Sequence, residues 1–240
     1  SGFFALNNGL ASFRDPRIDF SNLDVRVNLE GRSLSVERFR GALNGGTIEI
    51  GGGMAFEQNK PLIPNITITA KNVFVDVGDL QTVSDHDLRI VGEEERIFVR
   101  GQSKLRNALL RGRYNLETDI PRMLATQSGV DRITESRSEL LERIRFGIDI
   151  DTTDPILIDT NVAELPAGMD LRLVGSYYQP ALTGQIQVQP AGRLHLRGQE
   201  YIVERGIVSF VSESRIEPVI NLQARTEAAG YDITMRANGP

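Results

Sequence analysis

Apolar and polar side chains alternate along most of this chain. "IDFSNLDVRVNLEG" places Leu23, Val25, Val27 and Leu29 on one side and Asp24, Arg26, Asn28 and Glu30 on the other. "NITITAK" sets Ile66, Ile68 and Ala70 against Asn65, Thr67, Thr69 and Lys71. "GQIQVQP" opposes Ile186 and Val188 to Gln185, Gln187 and Gln189, and "GRLHLRG" opposes Leu194 and Leu196 to Arg193, His195 and Arg197. A period of two marks a strand with one buried face and one wet face. Parallel strands covered on both sides would be apolar throughout, so the pattern predicts antiparallel sheet. Gly31, Gly41, Gly101, Gly112, Gly184, Gly192, Gly198 and Gly206 punctuate the strands, and Asn44-Gly45 suits a two-residue hairpin turn. Short connections then imply an all-β meander of about fifteen antiparallel strands.

One stretch departs from this rhythm. "DRITESRSELLERIRF" carries Ile133, Leu140, Leu141 and Ile144 at helical spacing, with Ser136 and Glu139 placed as a capping box. It predicts one short amphipathic helix near 136–145. Two β-rich halves, 1–120 and 146–240, are joined by the loop and helix of 121–145. No Pro/Ser-rich linker separates them, which favours one elongated β domain over 1–240.

Composition acts mainly by exclusion. A hydrophobic share of 40% is enough for a core. The absence of cysteine removes disulfides, thiolate metal sites and cysteine nucleophiles. Net charge is −5 and the charges are interspersed, without the basic block that nucleic acid needs. No apolar run approaches a membrane span of about 18 residues. The abrupt ends, "SG" and "ANGP", read as those of a fragment of a longer protein whose targeting signal or anchor lies elsewhere.

Candidate chemistry is sparse. "NGGTIEIGGGMAF" is glycine-rich, but a phosphate-binding loop needs a following Lys-Ser/Thr and a helix; a hairpin turn and a softened strand fit better. "DIDTTD" offers Asp149, Asp151 and Asp154, yet position 160, where a calcium loop needs a bidentate Glu, is Thr160. His86 lies in "SDHD", read as a polar turn, and His195 lies on a polar strand face; neither has a second histidine at ligand spacing. Glu93-Glu94-Glu95 reads as a solvated turn. The residues point to no enzyme, no cofactor and no metal.

What remains is a long half-apolar sheet with one helix to cover it. Its apolar face must pack on a second sheet, curl on itself, or bind something apolar. A sandwich is the default; a curled sheet makes an aliphatic groove suited to acyl chains. The expected inward set comprises Ile66, Ile68, Ile148, Ile150, Leu171, Leu173, Ile186, Val188, Leu194, Leu196, Val208, Phe210, Ile220 and Leu222.

From Phe146 onward the chain resembles a known family. The features are "VGSYYQPALTGQIQV", "GRLHLRGQEYIVERGIVSF" and "IEPVINLQA", with Pro180, Gly184, Gly192, Gly198, Gly206, Phe210 and Pro218 in order and spacing. They resemble the C-terminal domain of TamB, a translocation and assembly module subunit of Gram-negative bacteria within the wider AsmA-like group. The likeness covers 146–240 well and 12–120 only through generic strand pattern. The family's domain continues to a tail that this chain lacks, so a partner contact made by that tail falls outside it. The resemblance implies a taco-like curled sheet with an apolar interior, in the periplasm, within a protein anchored in the inner membrane. It implies work with an Omp85-type outer-membrane partner, or phospholipid transport between membranes. Three readings follow: a conduit for phospholipid acyl chains, a chaperone-like scaffold for outer-membrane β-strands, and a passive structural β module.

Overall fold

The computed structural model describes residues 1–14, 17–56, 63–93, 95–113, 138–196, 198–228 and 230–239. They form one sheet of fifteen strands. The first seven are β1 (Gly2–Arg14), β2 (Arg17–Glu30), β3 (Ser33–Leu43), β4 (Gly46–Ala55), β5 (Ile63–Val77), β6 (Leu80–Glu93) and β7 (Arg96–Gly112). After the helix α1 (Glu139–Glu142) come β8 (Ile144–Thr152), β9 (Ile156–Thr160), β10 (Ala163–Ser176), β11 (Pro180–Val188), β12 (Arg193–Leu196), β13 (Gln199–Phe210), β14 (Pro218–Ala228) and β15 (Tyr231–Gly239).

The strands follow one another across the sheet in chain order, antiparallel, with one exception: β7 runs parallel to both β8 and β9. The antiparallel meander holds on either side of this seam. Ile144 pairs with Ile97, at the opposite end of β7 from Gly112. β8 therefore begins beside the start of β7, about 50 Å along that strand from Gly112. A parallel neighbour needs a crossover connection rather than a hairpin, and the alternating pattern breaks between these two strands. The two β-rich halves meet in the same sheet at this seam.

The expected helix shrinks to one turn. Residues 136 and 137, with Ser136 of the supposed capping box, lie outside the described residues, as does Ile133. Ser138 precedes the turn with an extended backbone and no side-chain cap bond. Ile144 and Arg145 belong to β8, because their ladder to β7 outweighs weak helical spacing.

Two sheet positions are each filled by two collinear strands. β8 and β9 both lie between β7 and β10, and β11 and β12 both lie between β10 and β13. The break in the second pair is bridged by Gln189 N–H to the Pro166 carbonyl (2.8 Å) and Ala191 N–H to the Val203 carbonyl (3.1 Å).

Facing residues share a side of the sheet, so the register assigns the two faces. Among the described residues, sixteen of the seventeen buried apolar side chains fall on one face, the inner one, Ala181 being the exception. The outer face carries cross-strand ion pairs: Arg26–Glu37 (2.9 Å), Arg38–Asp24 (3.2 Å), Arg106–Asp85 (2.8 Å) and Arg172–Asp149 (3.5 Å). Exposed pairs of this kind contribute at most about 1 kcal/mol each. Accessible surface totals 15872 Å², against roughly 10,700 Å² for a compact chain of this mass. The sheet is open, and it buries its core by bending.

Asparagine does the bending. Asn8, Asn22, Asn72 and Asn107 have φ of 55°, 52°, 56° and 49°, and each sits where the register slips. One extra residue in one strand kinks it and increases twist. Asparagine tolerates this left-handed backbone because its short amide finds local partners. Asn72 shows how: its backbone N–H donates to Asp85 Oδ1 (2.7 Å), and its side-chain oxygen accepts from Arg106 (2.8 Å). A fifth, Asn44, forms the expected hairpin turn with Gly45, φ 45° and 80°. Its side chain bonds the Arg17 carbonyl (3.2 Å), the Phe74 carbonyl (2.9 Å) and Asp19 N–H (2.7 Å), drawing β2 and β5 together beyond the tip of the β3–β4 hairpin.

Asn44→Ala removes three hydrogen bonds and strains the turn. It should lower stability by about 2–3 kcal/mol in chemical denaturation. Asn44→Gly keeps the backbone and should lose clearly less.

Candidate functional site

The inner face can be followed strand by strand. One row runs Phe4, Val27, Val36, Gly52, Ile66, Ile90, Val99, Phe146, Gly175 and Pro180. It crosses ten strands without a polar side chain. The next row runs Ile50, Ile68, Leu88, Gly101, Ile148, Leu173 and Leu182. Every non-glycine residue of the two rows is half-buried except Phe4, which is exposed. Together they form an apolar lane.

Glycine keeps the lane's backbone close. Gly101, at φ +145°, would place a Cβ 2.0 Å from the Asp87 carbonyl oxygen. No other residue fits there without moving β6.

Deeper in the bend the side chains are packed. A third row runs Ile48, Ala70, His86, Ser103, Ile150, Leu171, Gly184, Phe210 and Pro218. Ile48, Ala70, Ser103 and Leu171 are buried in it. Further along, Met169, Ile186, Val208 and Ile220 make a half-open row, and Ile156, Ala167, Val188, Gly206 and Leu222 a largely buried one. Val188, Leu194, Val203, Ala163 and Ala224 form one buried cluster, with Leu196 and Leu222 against it.

The structure thus places all fourteen inward-predicted residues on the same face, at different depths. Ile66, Ile68, Ile148 and Leu173 lie in the lane. Ile150, Ile186, Val208, Phe210 and Ile220 line the face beyond it, half-buried or exposed. Leu171, Val188 and Leu194 are packed core, and Leu196 and Leu222 flank that core. Sequence reasoning omitted Leu88 and Ile90 of β6, Val99 of β7 and Phe146 of β8. Their place in the lane depends on register across bulges, which no single strand's pattern reports.

The polar candidates resolve separately. Asp149 and Asp151 are on the outer face, Asp149 beside Arg172. His195 is also outward, 4.0 Å from both Glu164 and Glu200. His86 is not in a turn. It is a residue of β6 and points into the packed bend. Glu93 ends β6 and pairs with Arg100 at 3.2 Å; Glu94 lies outside the described residues.

A single-layer sheet whose two edge strands do not pair with each other is neither a sandwich nor a closed barrel. It is an open, curled β-groove protein with an aliphatic interior. The pattern of the TamB C-terminal domain family matches residues 37–240, and the chain belongs to that family. Membership places it among bacterial-envelope modules of outer-membrane assembly or lipid transport. The match starts within β3, yet β1 and β2 continue the same rows. No curated protein matches the chain. No helix among the described residues is long and apolar enough to cross a membrane.

Depth should govern the effect of substitutions. Leu194→Ala, in packed core, should cost about 2–4 kcal/mol. Leu173→Ala, half-exposed in the lane, should cost roughly half of that. Chemical denaturation of the two variants measures the difference.

Proposed function

We propose that the lane carries phospholipid acyl chains between the inner and outer membranes, without enzymatic chemistry, as the periplasmic part of a protein anchored in the inner membrane. The observation that supports this most directly is the ten-strand row without a polar side chain, accessible along its length. Nine strand spacings give about 43 Å. An acyl chain spans about half of a hydrocarbon core of roughly 30 Å, so the lane exceeds one chain more than twofold. Each methylene buried contributes about 0.8 kcal/mol, offset by ordering of the chain. With no polar anchor in the two rows, selectivity among acyl chains is weak and the ligand slides.

A second reading has its own support. β1 pairs on one side only and carries no charged side chain from Gly2 to Phe13, whereas β15, the other edge, carries Asp232 and Arg236. An uncharged edge accepts an added strand. That suits a chaperone-like scaffold for outer-membrane β-strands working with an Omp85-type partner.

Native mass spectrometry with lipid extraction tests the first reading. Ile68→Asp and Leu173→Arg should reduce bound phospholipid at least about tenfold, a charge in the lane costing several kcal/mol. Thr67→Asp and Gln185→Asp, on the outer face, should not. Equal loss from both sets in folded protein would sink the lane. Saturable binding of barrel-strand peptides abolished by a lysine in β1 would favour the scaffold. Neither ligand binding would leave a structural module.

A further inference from the structure

His86 is the one ionisable side chain on the inner face of the bend among the described residues, and only its neutral ring accepts the Ser103 hydroxyl proton while donating to Ser84. Its Nε2 lies 2.8 Å from Ser84 Oγ, and its Nδ1 lies 2.9 Å from Ser103 Oγ. Ser84 is fully buried and directs its hydroxyl to the Val73 carbonyl at 3.3 Å. With that proton committed, Ser84 Oγ accepts from Nε2–H, and Nδ1 accepts from the Ser103 hydroxyl. The chain Ser103–His86–Ser84–Val73 ties β7, β6 and β5 together across the bulge at Asn72.

A second proton on the ring would occupy Nδ1. Ser103 Oγ would then accept from Nδ1–H, its own proton would lose the ring as acceptor, and a charge would stand half-buried among apolar groups. The inward neighbours are Ala70 and Val73 from β5, Leu88 from β6, Gly101 and Leu105 from β7 and Ile150 from β8; none is charged. The charged groups of these strands that flank the inward neighbours, Lys71, Asp85, Asp87, Lys104, Arg106, Asp149 and Asp151, belong to the outer face, where Arg106 engages Asp85 at 2.8 Å.

We propose that His86 is an acid-sensitive latch of the bend: neutral, it holds β5, β6 and β7 in their curled packing, and protonated, it releases them. Burial lowers its affinity for a proton below the ordinary value, and Asp85 opposes this to a lesser degree. A lowered folded-state value means that the opened chain binds the proton first. Stability from the latch is therefore whole above about pH 6.5 and falls as pH drops from there through the folded-state value. Ser84 is closed to solvent, so the Ser84–His86 pair presents no accessible nucleophile.

The experiment combines ring-proton NMR of the two histidines with amide hydrogen exchange between pH 7.5 and 5.5, corrected for intrinsic rates. In the native chain His86 should titrate below the ordinary imidazole value of about 6.5. Opening of β5 to β7 should rise by up to about tenfold per pH unit below 6.5, as one-proton linkage requires. His86→Gln should abolish that rise, and His195→Gln should leave it intact. A rise that survives His86→Gln, or a His86 that titrates at or above that ordinary value, overturns the latch. If His86→Gln does not fold, the NMR titration and exchange of the native chain decide: a normal titration or a flat profile overturns it equally.

Discussion

Everything in this molecule follows from the need of one apolar sheet face to leave water without a second layer to cover it. Hydrogen bonding along the ladders is satisfied by any flat sheet, but a flat sheet would expose the whole inner row from Phe4 to Pro180. Curvature is the remaining solution. It is supplied at defined points, where asparagines in left-handed conformation insert an extra residue and kink β1, β2, β5 and β7. Regular strands cannot bend this sharply, because each extra degree of curl breaks ladder geometry; a bulge concentrates the bend where a side-chain amide can answer the broken bonds.

The bend divides the inner face into two environments. Inside it, small residues such as Ala70, Ala108, Ser84 and Ser103 allow strands to curve closely, and the larger aliphatics behind them pack into true core. Outside it the same alternation of residues leaves a lane that is apolar but still reachable. The polar residues of β6 belong to the first environment: Thr82 and Ser84 donate to the Arg106 and Val73 carbonyls near the bulges, and His86 completes the chain of bonds to β7. These groups are a consequence of bending the backbone, and they stay out of the two lane rows. Membership of the TamB C-terminal domain family fits this division, since carriage or assembly needs an apolar surface that remains accessible after folding.

Much of this was legible beforehand. Alternation in "NITITAK" and "GQIQVQP" determined strand and face, because a period of two has no other stable use. Asn44-Gly45 determined a hairpin turn, because both residues accept positive φ. The aliphatic, nearly aromatic-free composition of the inward set determined what kind of surface would result. Only the tertiary structure decided the rest. Leu194 and Leu173 read alike in sequence, yet one is core and the other lines the lane, because depth depends on where bulges bend the sheet. His86 looked like a turn residue because three polar residues surround it; its strand partners on β5 and β7 turned it inward. The parallel seam between β7 and β8 was hidden too, since alternation marks faces and not direction. Local pattern fixes which side of a strand is apolar; register, bulges and crossover are contacts between distant segments, and they alone set curvature, depth and access.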